Sequence, residues 1–118
     1  MGRIVGIGVD VVDLARFERA LSRTPRLRDR LFAENERDLP LRSLAGRFAA
    51  KEALLKALGA TDGIGWHDMR VVPDAEGNPD LVVSGRAAEI VTQRGIGSLH
   101  VSMSHDAGVA IAFVVAES

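Results

Sequence analysis

The stretch RFAAKEALLKALG, Arg47 to Gly59, reads as helix, yet it sets Lys51 and Glu52 side by side at its centre. At about 100° per residue, Leu44, Phe48, Leu54, Leu55 and Leu58 form one apolar stripe. The opposite side is alanine: Ala49, Ala50, Ala53 and Ala57. Such a helix packs closely on nearly every side, with Ser43 expected as its N-cap and Gly59 as its stop. Lys51 falls inside the apolar stripe, Arg47 lies beside it, and Glu52 and Lys56 line its edge one turn apart. Glu four residues before Lys is a favourable helical pairing worth ~0.2–0.5 kcal/mol, and long basic side chains snorkel out of apolar stripes. That account covers Glu52–Lys56 alone. It covers the full set less well, because partly buried charges are costly unless metal, phosphate or mutual pairing compensates. The set points to a site, with the role of Lys51 left open.

Working outward, Arg3 to Val12 alternates as a strand. Val5, Ile7, Val9 and Val11 face one way; Ile4, Gly6, Gly8 and Asp10 face the other. Two glycines therefore clear space just before an acid, the mark of close approach by a ligand or another backbone. From Asp13 the period turns helical, with Leu14, Phe17 and Leu21 on a core stripe and Arg16, Arg19 and Arg23 on another face. Pro25 ends this helix, and Arg26, Arg28 and Arg30 continue its basic character. Asp10 and Asp13 both suit a helix N-cap; Asp13 adjoins the periodic run, which frees Asp10 for other work.

Residues 31–42, broken by Pro40, read as a short helix and a loop, and ATDGIGW, residues 60–66, as a second loop. Strands are expected at Met69–Val72 and Leu81–Ser84 around the turn DAEGNP, and a short helix at Ala87–Arg94. The chain then closes in a two-stranded hairpin around His105-Asp106-Ala107-Gly108.

At 118 residues the chain is one domain, residues 1–118, and its 47% hydrophobic content supports a packed core. Strands and helices are mixed and the last strands are antiparallel, so the expected class is α+β: antiparallel strands packed on a long central helix. GIGVD lacks the GxGxxG fingerprint of a dinucleotide fold. The net charge of −1 argues against nucleic-acid binding through a basic surface. No cysteine is present, which excludes thiolate metal sites and disulfides and fits a reducing compartment. The apolar N-terminus MGRIVGIGVDVV is interrupted by Asp10 and followed by no cleavage site, and no apolar run approaches the ~20 residues that span a bilayer. The expectation is a cytoplasmic protein with no membrane segment.

Asp10 and Glu52 are a minimal protein contribution to a Mg2+ site, which keeps waters and takes further oxygens from substrate phosphates. Lys56 and Arg47 are suited to neutralise those phosphates. His100, Ser102 and Ser104 share one strand face, with His105 at the turn. No G-x-S-x-G elbow accompanies them, so they read as donors to phosphate or ribose, or as solvated residues, rather than as a nucleophilic triad. The arginine stripe is strongly single-signed in a near-neutral chain, which suits the steering of an acidic partner.

GIGVDVVDLARF, RFAAKEALLKALG and VSMSHD, in this order, closely resemble the motifs of the holo-[acyl-carrier-protein] synthases, the small bacterial type of 4′-phosphopantetheinyl transferase. The resemblance covers nearly the whole chain. It implies transfer of 4′-phosphopantetheine from coenzyme A to a serine of apo-acyl carrier protein, with Mg2+, in a homotrimer whose sites lie between subunits. It further implies that Asp10 and Glu52 bind the metal and that Lys56 meets the pyrophosphate. Ser104 and His105 fall in the segment contributing to the coenzyme A site, and Arg16, Arg23 and Arg26 where the first helix grips the carrier. The alternative weighed on the same fold is a non-catalytic coenzyme A or nucleotide-binding module, which requires the loss of a site residue. A Mg2+-dependent pyrophosphate hydrolase leaves the arginine stripe without purpose.

Overall fold

Two glycines decide how the sheet meets the longest helix. In the computed structural model, which describes residues 2–59 and 61–118, strand β1 (Ile4–Asp13) pairs antiparallel with β5 (Val109–Glu117). β5 pairs antiparallel with β4 (Ser98–Asp106), so the sheet order is β1-β5-β4. A separate two-stranded antiparallel sheet joins β2 (Met69–Pro73) and β3 (Pro79–Val83). The helices are α1 (Leu14–Arg23), α2 (Leu27–Leu31), α3 (Leu41–Leu58) and α4 (Gly85–Gln93). The α+β class is the one expected.

Helix α3 lies against the inner face of the three-stranded sheet. Ala110, Ala112, Val114 and Ala116 of β5 and Ala49, Ala53 and Leu54 of α3 are all fully buried. A Cβ on Gly6 or Gly8 would lie 2.0 Å from the Ala57 carbonyl oxygen or 1.8 Å from that of Ala53. The cleared space before Asp10 is therefore filled by the helix backbone, not by a ligand. Leu44, Leu54 and Leu58 are buried on one side of α3 and the alanines on the other, so the helix is enclosed as its composition required.

Asp13 caps α1, its carboxylate accepting from the Arg16 amide at 3.1 Å. Gly59, at φ +77°, ends α3 and donates to the Leu55 carbonyl. The start of α3 differs from expectation. Pro40, not Ser43, is the cap residue: its ring presets the turn, and its carbonyl accepts from the Leu44 amide at 3.0 Å. The short helix expected within residues 31–42 lies earlier, at α2, and is followed by a 3-10 turn at Glu34–Glu36. Ala60, the first residue of the expected second loop, and Met1 lie outside the described residues; that loop ends in a 3-10 turn at Trp66–Asp68. In the closing hairpin the strands run on to Asp106 and from Val109. Ala107 (φ 50°) and Gly108 (φ 79°) form a two-residue turn whose positive φ angles match the strand twist.

The outer face of the sheet is open. Ile7, Val9 and Val11 of β1 lie in register with Val115, Phe113 and Ile111 of β5, and Val9 and Phe113 are 47% and 43% exposed. Val5 departs from the row expected for it, because a register shift between Ile4 and Gly6 lets it pack against the core. Among the described residues no helix is long and apolar enough to cross a membrane.

Candidate active site

Because Gly8 admits α3 so closely, the next inward residue of β1, Asp10, meets the edge of the helix. Lys56 Nζ donates to Asp10 Oδ1 at 3.2 Å and to the Val9 carbonyl at 2.9 Å. Its ion-pair partner is thus Asp10, on a different element, and not Glu52 one turn back; the simple helical pairing is not what this lysine makes. Glu52 stands beside them. Its pKa is raised, first by burial, then by the Asp10 carboxylate, with Lys56 opposing. Two neighbouring carboxylates beside a single ammonium retain negative charge that a hard divalent cation would relieve, and both offer oxygen ligands. Among the described residues no group of three or more His, Cys, Asp or Glu could hold a metal. The pair therefore suits an ion that completes its shell with water and phosphate oxygens, as Mg2+ does.

Asp10 and Glu52 open on a cleft of about 510 Å³, whose rim includes Arg16 and Asp13 and whose apolar wall is Phe17 and Phe48. The two rings stack with centroids 5.4 Å apart, and Phe48 leans on Trp66. The cleft thus joins an acidic, metal-suited end to a basic rim on α1. Arg16, Arg19, Arg23, Arg26 and Arg30 are exposed, and among the described residues none forms an ion pair. Arg28 and Arg37 are instead occupied internally, donating to the carbonyls of Arg37 and Phe32.

The other charges of the central motif belong to a different cluster. Lys51 is fully buried and donates to Glu36 Oε1 at 2.9 Å and to the Leu31 carbonyl at 2.7 Å, with its ammonium 5.0 Å from the Phe32 ring centroid. The Leu31 bond satisfies an end carbonyl of α2. Burial lowers the Lys51 pKa, the Glu36 hydrogen bond and charge oppose this, and Arg47 and Arg70 add to the lowering. Arg47 Nε lies 3.7 Å from Glu36 Oε2. Glu36, 1% exposed, is the residue that pattern reading missed. It sits in a polar, proline-broken stretch, and only tertiary packing turns its carboxylate inward.

One chain does not bring all the expected residues together. Asp10, Glu52 and Lys56 gather at the β1 edge, and Arg16 lines the cleft onto which Asp10 and Glu52 open. Ser104 and His105 lie on β4, at the other edge of the sheet, opposite Ile111 and Ala110 of β5. They therefore face opposite sides of the sheet, Ser104 outward and His105 on the α3 side. Arg47 is turned about 140° around α3 from Glu52, next to Gly46, which faces Met103 of β4. His100 pairs with Glu117 at 3.1 Å on the outer face, away from Asp10, and His67 meets the Asp29 carbonyl at 2.7 Å.

Comparison with known proteins gives this arrangement a family context. Residues 6–114 match the model of the 4′-phosphopantetheinyl transferase superfamily. The chain is 63% identical over 114 residues to a holo-[acyl-carrier-protein] synthase of Leifsonia xyli subsp. xyli, covering 97% of each. It is similar to the crystal structure of holo-[acyl-carrier-protein] synthase from Neisseria meningitidis at 34% identity and a TM-score of 0.87, covering 98% of this chain and 100% of that one. It is also similar to the Helicobacter pylori holo-[acyl-carrier-protein] synthase solved in complex with coenzyme A, at 34% identity and a TM-score of 0.81, covering 93% and 98%.

Proposed function

The chain belongs to the 4′-phosphopantetheinyl transferase superfamily, and from that membership we infer that it moves 4′-phosphopantetheine from coenzyme A to a serine of apo-acyl carrier protein, releasing adenosine 3′,5′-bisphosphate. The observation that carries the chemistry is the pair Asp10 and Glu52 in a cleft rimmed by Arg16, with Lys56 bonded to Asp10 beside it. A module that only binds coenzyme A has no need of it.

In the proposed reaction the carrier's serine hydroxyl attacks the β-phosphorus of coenzyme A. The new phosphorus–oxygen bond forms as the bond to the bridging oxygen breaks, and the bisphosphate leaves with the pair. Asp10 and Glu52 would hold a Mg2+ ion, which when bound offsets charge on the phosphoryl oxygens. Lys56, half exposed at 55%, is free to turn from Asp10 towards the diphosphate and meet the same charge. The serine proton would be received at this end of the cleft, by Asp10, Glu52 or a water ordered between them. The nucleophile comes from the partner, so the enzyme needs no serine triad. The unpaired arginines Arg16, Arg23 and Arg26 would dock the acidic carrier beside the cleft.

The proposal extends to a homotrimer with sites between subunits. Its supports are the open apolar rows of Ile7, Val9, Val11, Ile111 and Phe113, and the separation of Arg47, Ser104 and His105 from the β1-edge residues. A neighbouring subunit would then supply the second group to bind coenzyme A. We place the reaction in the cytoplasm, in keeping with a chain free of cysteine.

The test is direct. The protein is incubated with coenzyme A, Mg2+ and apo-acyl carrier protein, and the carrier is weighed by mass spectrometry. The expected result is a mass gain of one phosphopantetheine group on the carrier. An unchanged mass, with folded enzyme and a competent carrier, rejects the reading.

A further inference from the structure

One buried carboxylate has no part in the chemistry above. Glu36 stands in the 3-10 turn after α2, with 1% of it exposed. Its Oε1 accepts from Lys51 Nζ at 2.9 Å and from the Ala33 amide at 3.1 Å. Its Oε2 lies 3.5 Å from the Val71 amide and 3.7 Å from Arg47 Nε. One anion thus serves two cations, and the cluster carries an excess of positive charge.

The two cations are not equivalent. Lys51 is fully buried and satisfied by Glu36 and the Leu31 carbonyl. The Arg47 side chain keeps 15% of its surface open, and its Nε is the one side-chain polar atom among the described residues that is buried without a hydrogen-bond partner. A guanidinium is a rigid planar fork, so fixing its Nε edge fixes where its terminal nitrogens point. We propose that Glu36 is a positioning residue: its carboxylate, 3.7 Å from Arg47 Nε and paired with it by charge alone, draws that edge of the guanidinium inward so that the terminal nitrogens present a fork to a phosphate group of coenzyme A. The Ala33 and Val71 amides meet the carboxylate independently of Lys51. The inference rests on the proposed role of Arg47 in binding coenzyme A and assigns that role a support.

The experiment is a double-mutant cycle read by calorimetric titration with adenosine 3′,5′-bisphosphate, in wild type, E36Q, R47M and E36Q/R47M. Glutamine keeps an acceptor for Lys51 but removes the charge facing Arg47. R47M is expected to weaken binding about tenfold, the scale of one charge-assisted contact, and E36Q several-fold. The double variant should bind no worse than R47M alone, because Glu36 acts only through Arg47. In transfer assays E36Q should raise KM for coenzyme A and leave kcat and the carrier's KM near wild type. Additive losses, or E36Q binding like wild type, overturn the inference. R47M binding like wild type overturns it together with the proposed role of Arg47, whereas the carrier mass gain tests the transferase reading separately. Since E36Q strands the Lys51 charge, the cycle is repeated on K51M, where no buried ammonium is left unpaired. The same coupling is expected there, and its absence in that folded background also counts against the proposal.

Discussion

A Cβ at Gly8 would lie 1.8 Å from the carbonyl oxygen of Ala53. The atom in the way is helix backbone, which cannot swing aside as a flexible side chain would. Gly8→Ala is therefore expected to cost more than the ~1–3 kcal/mol typical of core overpacking. It should also push α3 away from β1 and so part Asp10 from Glu52. The urea midpoint of unfolding measures the first effect, and an unchanged midpoint would show that the helix–strand contact is looser than described.

Glu52 carries a pH signature. Its folded pKa is raised by burial and by Asp10, so the native state holds this proton to higher pH than the unfolded chain, whose value is 4.5. Native protein thus binds more protons in that window, and stability falls as pH rises through it. The penalty is fully present above the raised pKa. Glu52→Gln removes it, so the variant should melt above wild type at pH 7, with the gain disappearing below the ordinary glutamate range. Mg2+ should raise the melting temperature of wild type but not of the variant. Transfer should drop by roughly 10²-fold or more. A variant that melts like wild type at pH 7 and still responds to Mg2+ would contradict both the titration and the metal role.

The open sheet face predicts self-association. Val9 and Phe113 are cross-strand neighbours on it, both about half exposed. Val9→Arg or Phe113→Arg should leave far-ultraviolet circular dichroism intact, because neither side chain belongs to the chain's own core. Sedimentation should show a fall from the proposed trimer to monomer, with transfer lost alongside. A variant that stays trimeric and active removes this face from the assembly.

The arginines of α1 predict a split between substrates. Reversing Arg16 and Arg23 to Glu should raise KM for the carrier about tenfold or more, in a salt-dependent manner, with a smaller change for coenzyme A. Equal effects on both substrates would dissociate the helix from docking.

Much of this was legible in local pattern. The strand with its glycines, the alanine-lined helix and the capped arginine helix follow from periodicity and backbone rules, and each formed. Asp10, Glu52 and Lys56 were legible as a set because metal–phosphate chemistry asks for those groups. Their true pairing was not: Lys56 reaches across to Asp10, a choice fixed by the distance between strand and helix. Nor could pattern find Glu36. A glutamate beside an asparagine and an arginine reads as solvated until the fold brings Lys51 above it. Pro40 displaced Ser43 as the cap because ring geometry begins the turn three residues sooner. Val5 left its row because a bulge, invisible to strict alternation, reversed it.

The division of the candidate site residues between the two edges of the sheet has a consequence for mixtures of subunits. In the proposed trimer each junction draws Glu52 from one chain and His105 from the next, so a subunit defective in one still carries an intact copy of the other. Two inactive variants, Glu52→Gln and His105→Ala, mixed and reassembled together, should complement each other, since every mixed ring contains a junction where both halves are sound. The catalytic unit of this protein is then the seam between two chains, and a folded protomer is a pair of unmatched halves.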